Sequence, residues 1–285
     1  MAVYEQNYRR YTGELTPERS RFLVPFRYAL KDVFASRMVL LLLVLGGLVM
    51  LGAMLIVYLH HNASALLSLN VPIDRIFPID NLFFEKVLQA ESSIGFFLAL
   101  IIGPGLIAPD VRNNALPLYF SRPFSATEYV LGKLAVLVAL LSALTWVPLL
   151  LLFLFQASLE TGWVGDHLGI AWAILAASWE WCLVLSLLTL AISAWVKWKP
   201  VARVVLLAVF FVLAGFAFAI NHILDTRWGS VLSIGTMNDI VRQNLFTGRE
   251  PDVIPPWAAW LALGAACLLF LSMLRRKVRA YEVVR

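Results

Sequence analysis

Apolar residues fall along this chain in long blocks separated by short polar stretches. They show neither the alternation of half-buried strands nor the single stripe of a surface helix. A helix rises about 1.5 Å per residue, so about 20 apolar residues cross a hydrocarbon core about 30 Å thick. Six blocks meet or approach that length: residues 38–60, 93–108, 130–156, 169–196, 201–221 and 257–274. The pattern predicts an all-α polytopic membrane protein with six transmembrane helices in a single transmembrane domain. The second block is short and contains Gly103-Pro104-Gly105, so it is expected to kink there or to extend back toward Glu91. The third contains Pro148, which predicts a bend whose freed carbonyl finds a neighbouring partner.

Ahead of the first block, Phe22, Leu23, Phe26, Leu30, Val33 and Phe34 recur at helical spacing, with Arg27, Lys31 and Asp32 on the other side. Pro25 suits a first turn. This predicts an amphipathic helix lying in the membrane interface. The polar segment before it holds Tyr4, Tyr8 and Tyr11 and reads equally as a tail or as a contact for a partner. The first 37 residues are polar and basic, so the first apolar block is expected to remain as an anchor and not to be cleaved as a signal peptide.

Composition agrees with a membrane setting: of 285 residues, 61% are hydrophobic and 14% charged. Soluble domains carry about 25% charged residues. Eighteen of the 23 Lys and Arg residues lie in one set of alternate loops and tails, and five in the other. The positive-inside rule then puts both termini in the cytoplasm. The net charge of +5 is read as this topological bias and not as a nucleic-acid surface. Cys182 and Cys267 offer no disulfide framework, and His60, His61, His167 and His222 form no metal-binding pair. Asn62-Ala63-Ser64 matches a glycosylation acceptor but sits too close to the first span to be read as one.

The densest polar segment lies between the second and third spans, in the first cytoplasmic loop of this topology. It reads APDVRNNALPLYFSRPFSATEYVLGKL, residues 108–134. Pro109 and Asp110 suit a helix start, with the carboxylate near the positive end of the helix dipole. Leu116, Leu118, Tyr119 and Phe120 are apolar in a segment facing the cytosol and call for the lipid interface or a partner protein. Pro117 and Pro123 fix turns. Ser125 and Glu128 form a capping box for the third span. Lys133 is expected to snorkel from its end.

This segment resembles the loop between spans two and three of ABC-2 type permeases, the membrane subunits of one class of ATP-binding cassette transporters. The matching positions are Asp110, Ser121-Arg122-Pro123, Tyr129 and Gly132-Lys133. Asn113, Asn114 and Ala115 stand where that family often has an acid and a glycine. The basic N-terminal segment, six spans and a long external connection before the last span fit the same family. IGTMNDIVRQNLFTG, residues 234–248, is similar to a short amphipathic element that those permeases carry there.

The resemblance implies an ABC-2, type V exporter-like transmembrane fold with an N-terminal elbow helix, in a bacterial cytoplasmic membrane. It implies a coupling helix seated on a separate ATPase, with Asp110, Arg112, Asn113, Asn114, Leu116, Tyr119, Arg122, Pro123 and Glu128 as coupling residues. The chain has no phosphate-cradling GxxxxGK[ST] segment, so ATP and Mg would sit on that partner and this chain would bind no cofactor. Two permease chains, identical or different, would pair with two ATPase subunits in membrane lipid, with no nucleic acid. The complex would export a hydrophobic or amphipathic substrate.

Inside the spans, Glu180 lies between Trp179 and Trp181. A charge at mid-bilayer costs about 2.5–3.5 kcal/mol on insertion scales. Glu180 therefore reads either as part of a translocation path or dimer seam, or as a structural acid bonded to a neighbouring helix. Thr236-x-x-Asp239 resembles a capping box, with Met237, Ile240, Val241 and Leu245 on one face. This predicts a short external helix on the membrane surface, with Met237, Asp239 and Ile240 as candidates for a gate, or else a lid without one. Two other classes remain open: a membrane scaffold that recruits an ATPase without transport, and an intramembrane enzyme. The second is disfavoured because Ser142, Thr145, Ser186 and Thr189 have no His or Lys partner at depth.

Overall fold

The computed structural model describes residues 23–62, 78–120, 125–248 and 253–278. The expectations for Tyr4, Tyr8, Tyr11, Phe22, Arg122, Pro123 and the Ala63-Ser64 end of the acceptor motif fall outside them. Among the described residues there is no strand. Six stretches are long and apolar enough to cross a membrane: Arg37–His61, Asn81–Arg112, Ala126–Leu159, Trp163–Trp195, Lys199–Ile223 and Pro256–Lys277.

The first helix, α1 (Leu23–Phe34), is the amphipathic one. Ala29 and Val33 are buried while Arg27, Lys31 and Asp32 face outward. It lies mainly on α6 (Ala126–Leu144), with lesser contact to α2 (Arg37–His61). Next comes α3 (Asn81–Ile102), which begins where Asp80 accepts the Phe83 amide at 3.0 Å. This helix starts twelve residues before the predicted block. Phe83, Phe84, Val87, Leu88 and Glu91 share its buried side, so the acidic residues belong to the helix and not to a loop.

Proline sets two of the breaks. After α3 the chain tightens into a 3-10 turn at Gly103–Gly105. Pro104 has no amide proton to continue the ladder, and Gly103 lies so close to α8 (Trp163–Trp195) that a methyl group there would run into Thr189. Between α6 and α7 (Trp146–Leu159), Thr145 leaves helical geometry at φ −101°, ψ −96°. The ring of Pro148 would clash with the Leu144 carbonyl in a continuous helix. The Thr145 hydroxyl bonds back to the Leu141 carbonyl at 2.8 Å.

The bundle is organised around α8, 78% of whose most apolar window is buried, against 11% for α9 (Lys199–Ile223). α3, α6, α7, α10 (Ile234–Thr247) and α11 (Pro256–Lys277) all pack on α8. Lipid tails are as apolar as these side chains, so close van der Waals contact holds the helices together. Gly46 on α2 illustrates this: a Cβ there would meet Leu144 and lie 2.9 Å from Glu91 Oε2. Most exposed tryptophans fall near the ends of the spans, Trp195 and Trp198 at one end and Trp172, Trp228, Trp257 and Trp260 at the other, with Trp179 between them. Trp172 and Trp195 are roughly 35 Å apart along α8, about the span of a bilayer and its interfaces.

Residues 224–247 do not lie across the end of the bundle as the surface-helix expectation had them. They dip into it and return. A 3-10 helix, Trp228–Leu232, runs back along the end of α9, with Gly229 against the Ala217 carbonyl and Asn221. The chain turns at Ser233, and α10 then climbs antiparallel to the first half of α3. Asn81 Nδ2 donates to the Phe246 carbonyl at 2.6 Å, and Arg242 meets Glu85 one turn away. Ile234, Met237, Ile240 and Val241 are buried in the main core.

Candidate functional site

Two polar centres stand out, one at each end of the bundle. At the Trp195 end, α4 (Ala108–Arg112) and α5 (Leu116–Phe120) form the loop after α3. α4 starts with Pro109 in its first turn and Asp110 beside it, as the sequence predicts. Ser193 of α8 fixes its start. Its hydroxyl accepts from the amides of Ile107 and Ala108, at 3.2 and 3.0 Å, and donates to the Pro104 carbonyl at 3.3 Å.

Asp110 is the hub of this end. Its Oδ2 accepts from the Tyr129 hydroxyl at 2.6 Å and lies 3.2 Å from Lys133 Nζ. Lys133 does not snorkel: its side chain is 12% exposed, Asp110 is 19% exposed, and the two are paired. The Lys133 ammonium also lies 5.5 Å from the Tyr129 ring centre, on which Tyr119 and Phe120 pack. Burial, and then the Asp110 charge, push the Tyr119 phenol above its usual pKa. Arg112 stacks over Trp198 at 5.3 Å. Asn113 and Asn114 are exposed, and Asn114 takes φ 51°, a left-handed turn that asparagine tolerates.

Ser125 and Glu128 form the capping box: the Ser125 amide donates to Glu128 Oε2 at 2.7 Å, and the Glu128 amide donates to the Ser125 hydroxyl at 3.2 Å. Asp110, Tyr119, Tyr129 and Lys133 thus form one cluster. Glu128 belongs to the helix cap, and Arg112 belongs to a contact with Trp198.

At the other end, Arg242 is enclosed by acids. Its side chain is 3% exposed, its Nε donates to Glu85 Oε1 at 3.3 Å, and its Nη2 lies 2.8 Å from Asp239 Oδ1. Glu180 lies about 12 Å inward from Trp172 along α8, and its oxygens have no hydrogen-bond partner. Glu91 on α3 is likewise buried without one. The Trp181 indole donates to the Ser92 carbonyl at 3.4 Å, which sets Glu91 and Glu180 at a common level.

Asp239 is not the closing acid of a capping box. The cap is Ser233, which accepts the Thr236 amide at 3.3 Å, and Asp239 turns to Arg242 three residues on. Met237 and Ile240 face the core, not the cleft or an outer surface. Sequence reasoning missed Glu85, Glu91 and Arg242. The spacing of Phe84, Leu88 and Glu91 at i, i+4 and i+7 was the available signal for the two acids.

Beside this centre an open cleft of about 440 Å³ lies between α3, α9 and α10. Phe96, Phe97, Phe210 and Phe211 supply an aromatic wall, with the Phe96 and Phe210 rings 4.6 Å apart. Ser92, Asn238, Asp239 and Arg242 supply a polar one. Among the described residues no group of His, Cys, Asp and Glu is placed to hold a metal ion.

Fold and sites define an all-α, multi-pass membrane protein with a polar loop at one end and a charged re-entrant helix at the other. No protein-family model matches the chain, and comparison with curated proteins finds no match.

Proposed function

We propose that the chain is the permease subunit of an ABC-2 type transporter, coupling ATP hydrolysis on a separate subunit to export of a hydrophobic or amphipathic substrate. The observation that carries this reading is the anchoring of the loop at residues 108–120. Its outer side presents Leu118, 72% exposed, and Tyr119. Its inner side is fixed to α6 through Asp110, Tyr129 and Lys133, and to α8 through Ser193. A push on the outer side passes into two membrane helices through short polar contacts, which is the requirement for a coupling element.

The Lys and Arg distribution supports a cytoplasmic position for this loop. An ABC ATPase dimer binding ATP and Mg would seat it, and a second permease chain would complete the complex. The cleft, with one aromatic and one polar wall, suits an amphipathic substrate.

The test is purification of the intact complex from membranes. An ABC ATPase is expected to co-purify, and ATP to drive substrate movement in vesicles. An ATPase that binds without substrate movement points instead to a recruiting scaffold. Labelling of Asn113→Cys only from the outside of the cell overturns the coupling reading.

A further inference from the structure

We infer that the buried Glu85–Arg242 pair is a releasable catch that holds helix α10 against α3 and so keeps the cleft narrow. The inference rests on reading that cleft as the route of the transported molecule. Three observations carry it.

The first is position. α10 contributes Ser233, Gly235, Thr236, Asn238, Asp239 and Arg242 to the cleft, so one of its walls moves with this helix. The second is attachment. Polar links from α10 to α3 sit near its C-terminal end, where Asn81 holds the Phe246 carbonyl at 2.6 Å and Glu85 holds Arg242 at 3.3 Å. The Asn81 bond reaches a backbone atom and serves as the pivot. The Glu85 bond joins two side chains and is the one that can part.

The third is that each half of the pair keeps a partner after parting. Arg242 retains Asp239 on its own helix, at 2.8 Å. Glu85 retains Lys86, its neighbour on α3, whose Nζ is 3.8 Å away. Breaking a buried ion pair is ordinarily prohibitive because an uncompensated charge is left behind. Here neither charge is stranded. Lys86 and Asp239 are both about half exposed, at 57% and 47%, and can follow their partners.

The test reads widening of the cleft directly. Ser92 lines it and is buried, so Ser92→Cys is a near-isosteric probe. The chain in lipid nanodiscs, with Cys182 and Cys267 replaced by alanine, is treated with a membrane-impermeant methanethiosulfonate. Glu85→Gln is expected to speed modification about tenfold, following the rise in open population. Asp166→Asn removes an exposed carboxylate that touches neither the cleft nor the pair, and is expected to leave the rate near that of the parent.

Equal acceleration by both variants overturns the catch, since loss of any charge would then suffice; so does an unchanged rate in Glu85→Gln. If Glu85→Gln does not fold, Glu85→Asp replaces it, with an intermediate acceleration expected and an unchanged rate counting against the proposal. The measurement needs neither ATP nor an ATPase, so its failure is separable from failure of the transport reading.

Discussion

The Tyr129 hydroxyl donates to Asp110 Oδ2 at 2.6 Å, joining the loop after α3 to the first turn of α6. Tyr129 is fully buried and Lys133 shares the same oxygen at 3.2 Å, so Asp110 satisfies one phenol and one ammonium together. Tyr129→Phe removes one hydrogen bond and is expected to cost about 1 kcal/mol. Asp110→Asn keeps an acceptor but leaves Lys133 without its counter-charge, and is expected to cost about 2–3 kcal/mol. Thermal melting of the purified chain in detergent should rank Asp110→Asn below Tyr129→Phe. The reverse order would place the weight on the phenol and not on the charge.

Ser193 holds the start of α4 through two amides and one carbonyl. Ser193→Ala leaves the Ile107 and Ala108 amides without an acceptor in a fully buried site. Each stranded amide costs about 1–3 kcal/mol. The expected result is a large fall in melting temperature together with faster amide exchange at residues 107–112. Ser193→Thr keeps the hydroxyl and is expected to retain the slow exchange.

Gly103 of the 3-10 turn packs so tightly on α8 that an added methyl group would overlap the Thr189 side chain. Gly103→Ala is expected to destabilise by about 1–3 kcal/mol through overpacking. Thr189→Ser removes the obstructing methyl, and the double variant is expected to recover part of the loss. A double-mutant cycle on melting temperatures measures that coupling, and strict additivity of the two changes would refute the contact.

The spans were legible because an apolar block of bilayer length has few other meanings, and the Ser125–Glu128 box because its partners are three residues apart. The rest depended on charges whose partners are distant in sequence. Glu85, Lys86 and Glu91 lower the hydropathy of the first half of α3, so the apolar block begins at Ser93 and hydropathy shows only that the helix can reach back toward Glu91. Arg242 lies outside the apolar blocks, yet it is buried by Glu85, 157 residues away. Thr236-x-x-Asp239 fitted a local capping rule, but Ser233 holds the cap and Asp239 finds a stronger partner in Arg242. Lys133 was assigned to water because nothing local revealed that Asp110 would fold back onto it.

The outer side of α5 gives the most direct functional prediction. Leu118 and Tyr119 are exposed, and the packing of the loop depends on Asp110, Tyr129 and Ser193 instead. Leu118→Asp puts a charge on the proposed docking side without emptying the core, and exposed substitutions shift stability by only about 0.5 kcal/mol. The melting temperature of the isolated chain should therefore hold. A carboxylate inside an apolar groove of a partner is costly to desolvate, so ATPase co-purification and ATP-driven substrate movement should both fall at least about tenfold. Retention of the ATPase at its normal level in Leu118→Asp, with the chain intact, would move the docking surface away from α5.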